Sequence, residues 1–491
     1  MTRSARPQTL GELRSSGYRP THVRDEVHCN LVRKVEAGEE LFPGIIGYQD
    51  TVIPEIENAL LAGQNVIILG ERGQAKSRMI RAMTSLLDAE VPVVAGSEIN
   101  DDPLAPVSPW AKRQLAEHGD RTPIAWLPRG ARYGEKLATP DVSMADLIGD
   151  IDPIKVAEGR YLADELTIHY GLIPRTNRGI FCVNELPDLP ERIQVGLFNL
   201  MEERDVQIKG YRIRLPLDML VFATANPEDY TNRGRIITPL KDRFGAQART
   251  HYPLRHEDEI AIVEQERQRF GDSGSRVVMP EYMAEVVAEV SALARKSPEI
   301  NQRSGVSVRV SIANYETLCA AALGRCLRLH EKVASPRITD LPTITSSMRG
   351  KIELESVEEG REVVVIEDLT KRAVANVFAT RFDPAELDSI VAAFDEGVGV
   401  TASATMPAAD YVRAKETLKG LGAAVDRLKP GTPPEIASAV EFVLEGLHLH
   451  RRLNRDSIDG GYAYTRPPAP RPPAPGEEGP RRRERRRDEG T

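Results

Sequence analysis

Cysteine is scarce in this sequence. Its four cysteines, Cys29, Cys182, Cys319 and Cys326, form no CxxC pair and have no His-x-x-x-His nearby. That spacing speaks against a disulfide framework and a zinc site, and leaves buried free thiols as the expectation. His448 and His450 fall on an expected helix, where positions i and i+2 do not share a face, so no metal is expected there. No apolar run reaches the ~20 residues that a bilayer-spanning helix needs. The N-terminal stretch MTRSARPQTLGELRSSGYRP is basic but lacks the apolar core of a signal peptide, which makes the cytoplasm the expected location. The net charge of -8 gives no overall reason to expect a nucleic-acid partner.

What is present describes a soluble globular protein, with 41% hydrophobic and 28% charged residues. A chain of 491 residues is too long for one ordinary core, so about two to four domains are expected. The stretch richest in chemistry is residues 65–78, NVIILGERGQAKSR. Val66–Leu69 is a buried-strand run that Gly70 and Gly73 break. Lys76 and Ser77 follow, and then Met79, Ile80, Met83, Leu86 and Leu87 recur at helical spacing.

Strand, glycine loop, Lys-Ser and helix, in this order, are the layout of a phosphate-binding loop, with a plain strand–turn–helix carrying a chance Lys-Ser as the bland alternative. Glycines let backbone N–H groups turn inward around phosphate oxygens, and the helix N-terminus adds partial positive charge. Lys76 is the candidate for the β/γ-phosphates, and the Ser77 hydroxyl for Mg²⁺. Gly70, Glu71, Arg72, Gly73, Gln74 and Ala75 are the candidate loop contacts. Ala75 stands where the general pattern has its last glycine. Alanine resists φ > 0, so position 75 is expected to have near-helical geometry. Upstream, Ile45-Ile46-Gly47-Tyr48 is placed to pack on an adenine ring, with Ile46 and Gly47 as candidate contacts; a hydrophobic staple for the next helix is the equal alternative.

A second station lies at residues 178–204. Ile180-Phe181-Cys182-Val183 is a buried-strand run ending in Asn184-Glu185. Phosphate-loop ATPases place two acidic residues there, one for the Mg²⁺ shell and a Glu to polarise the attacking water. Glu185 fits the second role. Asn184 fits the first only as a neutral amide, so weaker Mg²⁺ binding is expected; a plain helix N-cap is the bland alternative. Asn226 sits just past the apolar core of another strand (218–230) and could orient water. Arg243, in DRFG, could serve a neighbouring subunit's nucleotide, or pair with Asp242. Arg309 opens a helix, where the dipole disfavours a cation unless an anion lies near.

Several weaker readings complete the chain. A helix is expected near 32–39, loops over 96–143, a hairpin around Lys209-Gly210, a second hairpin over 352–366, and three amphipathic helices in 382–465. From 466 the chain is Pro- and Arg-rich and reads as a solvated tail.

From about 41 to 379 the chain resembles AAA+ ATPases of the MoxR and magnesium-chelatase I-subunit group. The likeness is carried by GERGQAKS, DDP at 101–103, LPRGA at 127–131, LIGDIDPIKVAEG at 147–159, GLIPRTNRGIFCVNELPDL at 171–189 and MEERDVQIKG. It implies an α/β fold: a three-layer P-loop domain with a parallel sheet, then a helical lid and a C-terminal helical region. The implied boundaries are an extension at 1–40, the ATPase core with a helix-2 insert at 41–254, a lid with a small hairpin at 255–381, a helical region at 382–465 and a disordered tail at 466–491.

The resemblance also implies ATP and Mg²⁺ as cofactors, Asn226 as the sensor-1 residue, Arg243 as the arginine finger and Arg309 as the sensor-2 arginine. It implies a homo-oligomeric ring, a hexamer as the expected size, and a protein partner with a von Willebrand A-type domain. The group has Asp where this chain has Asn184, and the region after 382 has no counterpart in it. A ring motor is the leading reading. A nucleotide-gated scaffold with weak turnover and a porphyrin-directed chelatase motor remain open. A sigma-54-type activator ranks low, because no GAFTGA-like loop lies between the P-loop and Glu185.

Overall fold

The computed structural model describes residues 6–151, 168–203, 206–208, 211–213, 215–226, 235–269, 276–302, 304–355, 360–458 and 460–466. The tail from 467 and most of the LIGDIDPIKVAEG stretch lie outside them. The chain divides into two compact units. The first comprises residues up to 268 with 290–315 and 346–365; the second comprises 269–289, 316–345 and 366 onward.

The first unit is organised by a five-stranded sheet. Its strands are β1 (Val66–Leu69), β2 (Tyr133–Leu137), β3 (Gly179–Asn184), β4 (Met219–Ala225) and β5 (Ala246–Arg249), in the order β5-β1-β4-β3-β2. Every neighbouring pair is parallel. β1, β3 and β4 are buried along their whole length, which is why they read as continuous apolar runs. Successive residues point to opposite faces. Ile67, Leu69, Phe181, Val183 and Val221 face one core, shared with Ile193 and Leu197 of the helix Glu191–Glu203. Val66, Ile68, Ile180, Cys182 and Phe222 face the other, shared with Ile56 and Leu60 of the helix Val52–Leu61 and with Ile80 of the helix Lys76–Ala82. Helices on both sides of a parallel sheet give the three layers expected.

Several local expectations are corrected. The stretch 96–143 is less loop-like than its composition suggests. It holds the helix Pro109–His118, capped by Ser108, a strand Ile124–Pro128 antiparallel to Glu90–Val94, and β2 itself. The helix expected near 32–39 starts earlier, at Val23–Glu36. Its Glu26 takes both terminal nitrogens of Arg132 at 2.6 Å, a pair almost wholly buried. The hairpin Val206–Ile208 with Tyr211–Ile213 is present. Of the hairpin expected at 352–366, residues 356–359 lie outside the described residues, and the C-terminal part is helix, Arg361–Arg381. Val365, Ile366, Leu369, Ala373, Val374, Val377 and Phe378 are buried at helical spacing, so burial of one face overrides the β-branched run Val363 to Ile366. The cysteines are free thiols, but only Cys182 and Cys326 are buried; Cys29 is exposed.

The second unit is helical around Pro433–Leu449, of which Ala437 to Leu447 are all buried. Gly446 sits where a Cβ would come within 2.0 Å of the Phe378 ring. That ring also meets Phe442 at 5.9 Å, and Phe442 meets Tyr282 at 4.5 Å. The unit also holds an antiparallel sheet of Val400–Ser403, Gly461–Thr465 and Asn454–Ile458, where helices alone were expected. Among the described residues, no helix is long and apolar enough to cross a membrane, and no cluster of three His, Cys, Asp or Glu side chains could hold a metal.

Candidate active site

Parallel strands deliver their C-terminal ends to one edge of the sheet, where ligands of open α/β sheets bind. β1, β3 and β4 end there side by side, and the P-loop leaves from β1. Lys76 lies in the loop's mouth. Its Nζ donates to the Gly70 carbonyl, to the Glu71 carbonyl at 2.7 Å and to Asn226 Oδ1, past the end of β4, at 2.9 Å. Ser77 Oγ donates to Asn184 Oδ1, at the end of β3, at 3.1 Å. Four of the sequence candidates thus meet in one place: Lys76, Ser77, Asn184 and Asn226.

The loop is held from outside. Gln74 Oε1 accepts from the Glu71 N–H at 2.9 Å and from Thr250 Oγ1 at 2.6 Å. A Cβ on Gly70 would lie 1.7 Å from Thr250 Oγ1, and one on Gly73 would lie 1.9 Å from Ser307 Oγ. Both glycines are therefore required by close approach as well as by loop curvature.

Ala75 corrects the sequence reading. Its φ is 56° and ψ 14°, in the left-handed region, where an L residue pays roughly 1–2 kcal/mol. The loop keeps the geometry of the glycine pattern and holds an alanine in it. Glu185 is left-handed too, at φ 56° and ψ 47°. Its N–H donates to Thr224 Oγ1 at 3.0 Å, and the same hydroxyl donates to Asn184 Oδ1 at 3.2 Å. One threonine on β4 thus fixes both members of the Asn184-Glu185 pair.

The Asn184 amide is held at both ends. Its oxygen accepts from Ser77, from Thr224 and, at 3.5 Å, from the Cys182 thiol, which burial pushes up to about 12 and so keeps protonated. Its Nδ2 donates to Glu135 Oε1. Glu135 comes from β2, whose register sets it opposite Cys182. It also accepts from Arg81 at 2.7 Å on each oxygen and from Tyr133 at 3.0 Å. Hydrogen bonding by Arg81 foremost holds its carboxyl below the usual range. Sequence reasoning missed Glu135, Thr224, Thr250 and Ser307. The signal for Glu135 was a short Tyr-x-Glu-x-Leu alternation in a segment read as loop.

The remaining candidates spread around this centre. Tyr48, beside Ile46 and Gly47, is buried and donates to the Gln74 carbonyl at 3.2 Å and the His251 carbonyl at 2.8 Å. The Ile45–Tyr48 stretch is thereby tied to the P-loop's flank. Arg309 is exposed, on the first turn of the helix Val308–Arg328, and its N–H donates to Ser307 Oγ at 3.2 Å. Ser307 is the residue packed on Gly73, so that helix begins at the P-loop. Arg243 is not brought into the cluster. It pairs with Glu202 and with Asp242 at 3.3 Å, and lies 5.5 Å over the Phe198 ring.

The donors Ser77 Oγ and Asn184 Oδ1 are both oxygens, of the kind that suits a hard divalent cation beside phosphate, and the Glu135 carboxylate lies behind Asn184. The half-buried ammonium of Lys76 and the N-terminus of the helix Lys76–Ala82 suit polyphosphate.

No family model matches the chain. Magnesium-chelatase subunit ChlI of Nostoc sp. strain PCC 7120 is 26% identical over 354 residues, covering 66% of this chain and 87% of the relative. The chloroplastic subunit ChlI-1 of Arabidopsis thaliana is 30% identical over 230 residues, covering 45% and 49%. A solved complex between subunits BchI and BchD of magnesium chelatase aligns at 19% identity with a TM-score of 0.35, covering 67% of this chain and 98% of that one.

Proposed function

We propose that this chain, an AAA+ ATPase of the MoxR and magnesium-chelatase I-subunit group, hydrolyses Mg-ATP at the subunit interfaces of a ring and uses the cycle to remodel or activate a protein partner. The observation that carries the reading is the meeting of Lys76, Ser77, Asn184 and Asn226 at the ends of β1, β3 and β4, with Glu185 next to it. The P-loop amides and Lys76 bind the triphosphate. Lys76 exchanges its carbonyl contacts for phosphate oxygens. Ser77 and Asn184 would hold Mg²⁺, which when bound would neutralise phosphate charge. Glu185 takes a proton from the attacking water, and Asn226 orients that water.

Arg243 acts in trans. In the single chain it leans on Glu202, half-exposed, and a neighbour's γ-phosphate would compete for it. Arg309, on the helix Val308–Arg328 that starts beside Gly73, reports the phosphate's presence to the lid. Nucleotide state then changes lid position, the element through which AAA+ rings do work. The ring, its hexameric size, a partner with a von Willebrand A-type domain and a cytoplasmic setting follow from the family reading.

The test is steady-state phosphate release by the full chain, with Lys76→Ala and Glu185→Gln beside it. Wild type should turn over, Lys76→Ala should neither bind nor hydrolyse, and Glu185→Gln should bind without hydrolysing. Equal rates in all three would end the motor reading.

A further inference from the structure

We infer that Glu135, reaching across from β2, supplies the negative charge at the nucleotide's divalent cation that Asn184 does not. The inference rests on the reading of this cleft as a Mg-ATP site.

Mg²⁺ bound beside phosphates is usually held through one or two carboxylates. Position 184 offers an amide, so a second acid is required nearby. Glu135 is the carboxylate in direct contact with Asn184, which donates Nδ2 to its Oε1. The orientation of Asn184 leaves no choice about which end faces the metal. Three donors, Ser77, Thr224 and Cys182, converge on Oδ1, so the amide oxygen points to the Ser77 side and the NH₂ points to Glu135.

An aspartate at 184 could not sit in this arrangement unchanged, because one of its oxygens would meet the Glu135 carboxylate, and like charges in contact repel. Asn184 and Glu135 are therefore a matched pair, with the formal charge moved one strand along the sheet. Arg81 also holds Glu135, but its side chain is 62% exposed against 20% for Glu135. Solvent partly screens the arginine, and the carboxylate's inner face is turned to the buried amide. A carboxylate that acts through such an outer contact commonly governs metal affinity by about 10–100-fold.

The experiment measures Mn²⁺ affinity by electron paramagnetic resonance in the full-length protein saturated with a fluorescent ATP analogue, whose own binding is followed in EDTA. Four proteins are compared: wild type, Glu135→Gln, Asn184→Asp and the double variant. Glutamine at 135 keeps an acceptor for the Asn184 amide and removes only the charge. Nucleotide binding in EDTA shows which of the four still take up nucleotide when no metal is present.

Mn²⁺ should bind Glu135→Gln at least about tenfold more weakly. Asn184→Asp alone should bring no comparable gain, and Glu135→Gln/Asn184→Asp should return to the wild-type range, which also excludes misfolding as the cause of the loss. Nucleotide binding with Mn²⁺ affinity unchanged by Glu135→Gln overturns this inference alone. No nucleotide binding by wild type, with or without metal, overturns the ATPase reading and this inference with it.

Discussion

In the first unit Asn184 gathers three donors on its oxygen and gives its amide to Glu135, in a cleft where Lys76, Ser77 and Glu185 stay half-exposed. In the second unit Glu441 accepts from Tyr411 at 2.5 Å and from Thr339 at 2.9 and 3.2 Å, and it is wholly buried. Arg337, also wholly buried, lies 4.8 Å over the Tyr411 ring, and Arg325 pairs with Asp340 beneath the surface. Both regions are polar networks built from the same residue types. Their carboxylates depart from the ordinary range in opposite directions: Glu135 is held low, Arg81 first among the causes, and Glu441 is pushed up by desolvation. The contrast separates two uses of polarity. Donors and acceptors that face a solvent-accessible cleft can be re-used by a ligand, whereas those closed inside a core specify packing.

The sharpest way to break this contrast is Glu185→Gln. Loss of the proposed general base should lower kcat by about 10²-fold or more, read as phosphate release, with the thermal unfolding midpoint unmoved. A matching loss of stability would mean that the cleft, too, is mainly structural. The mirror experiment is Glu441→Ala, which strands the Tyr411 hydroxyl and the Thr339 donors. A cost on the order of 3 kcal/mol is expected in urea unfolding, with ATP turnover per folded molecule unchanged.

Glu441→Gln tests the sign of the electrostatics. A carboxyl with a raised folded pKa gives stability that is fully present below the ordinary value of about 4.3 and is lost as pH rises through the folded one. Wild type should therefore lose stability relative to Glu441→Gln as pH climbs from about 4 to neutrality. A gap that is flat or widens the other way would show that Glu441 is ionised at no cost.

Gly446→Ala is a smaller perturbation of the same core. Its Cβ would meet the Phe378 ring, and overpacking should cost about 1–3 kcal/mol by the same unfolding assay. The smallest effect belongs to the cleft. Ala75→Gly relieves the left-handed alanine and should stabilise the folded chain by about 1 kcal/mol, seen as a raised unfolding midpoint. No gain would mean that the glycine's extra freedom in the unfolded chain cancels the relief.

The cleft was legible in the sequence to the extent that its signals are local. Strand, glycines and Lys-Ser lie within fourteen residues (65–78), and an apolar run ending in Asn184-Glu185 announces itself. Glu135 was not legible, because β2 is an edge strand with charged residues, and edge strands carry charge for reasons of their own. The geometry of Ala75 was read backwards from propensity; the loop closed by Gln74, Thr250 and Ser307 overrides an alanine's preference. The run Val363 to Ile366 looked like strand and became helix, since only the finished core says which periodicity is buried. The small sheet of the second unit has strands of four and five residues, too short to stand out from the helices around them.

By itself the sequence determined a phosphate loop on a buried strand, an acid at the end of a second strand and an amide at the end of a third, because chain neighbours within a few residues fix local geometry and hydrophobic period. The tertiary structure alone decided that Ser77, Asn184, Thr224 and Glu135 share one hydrogen-bonded cluster. Their separation along the chain leaves their distance open until parallel pairing sets the register of β1, β2, β3 and β4, and with it the place where charge can meet a cation.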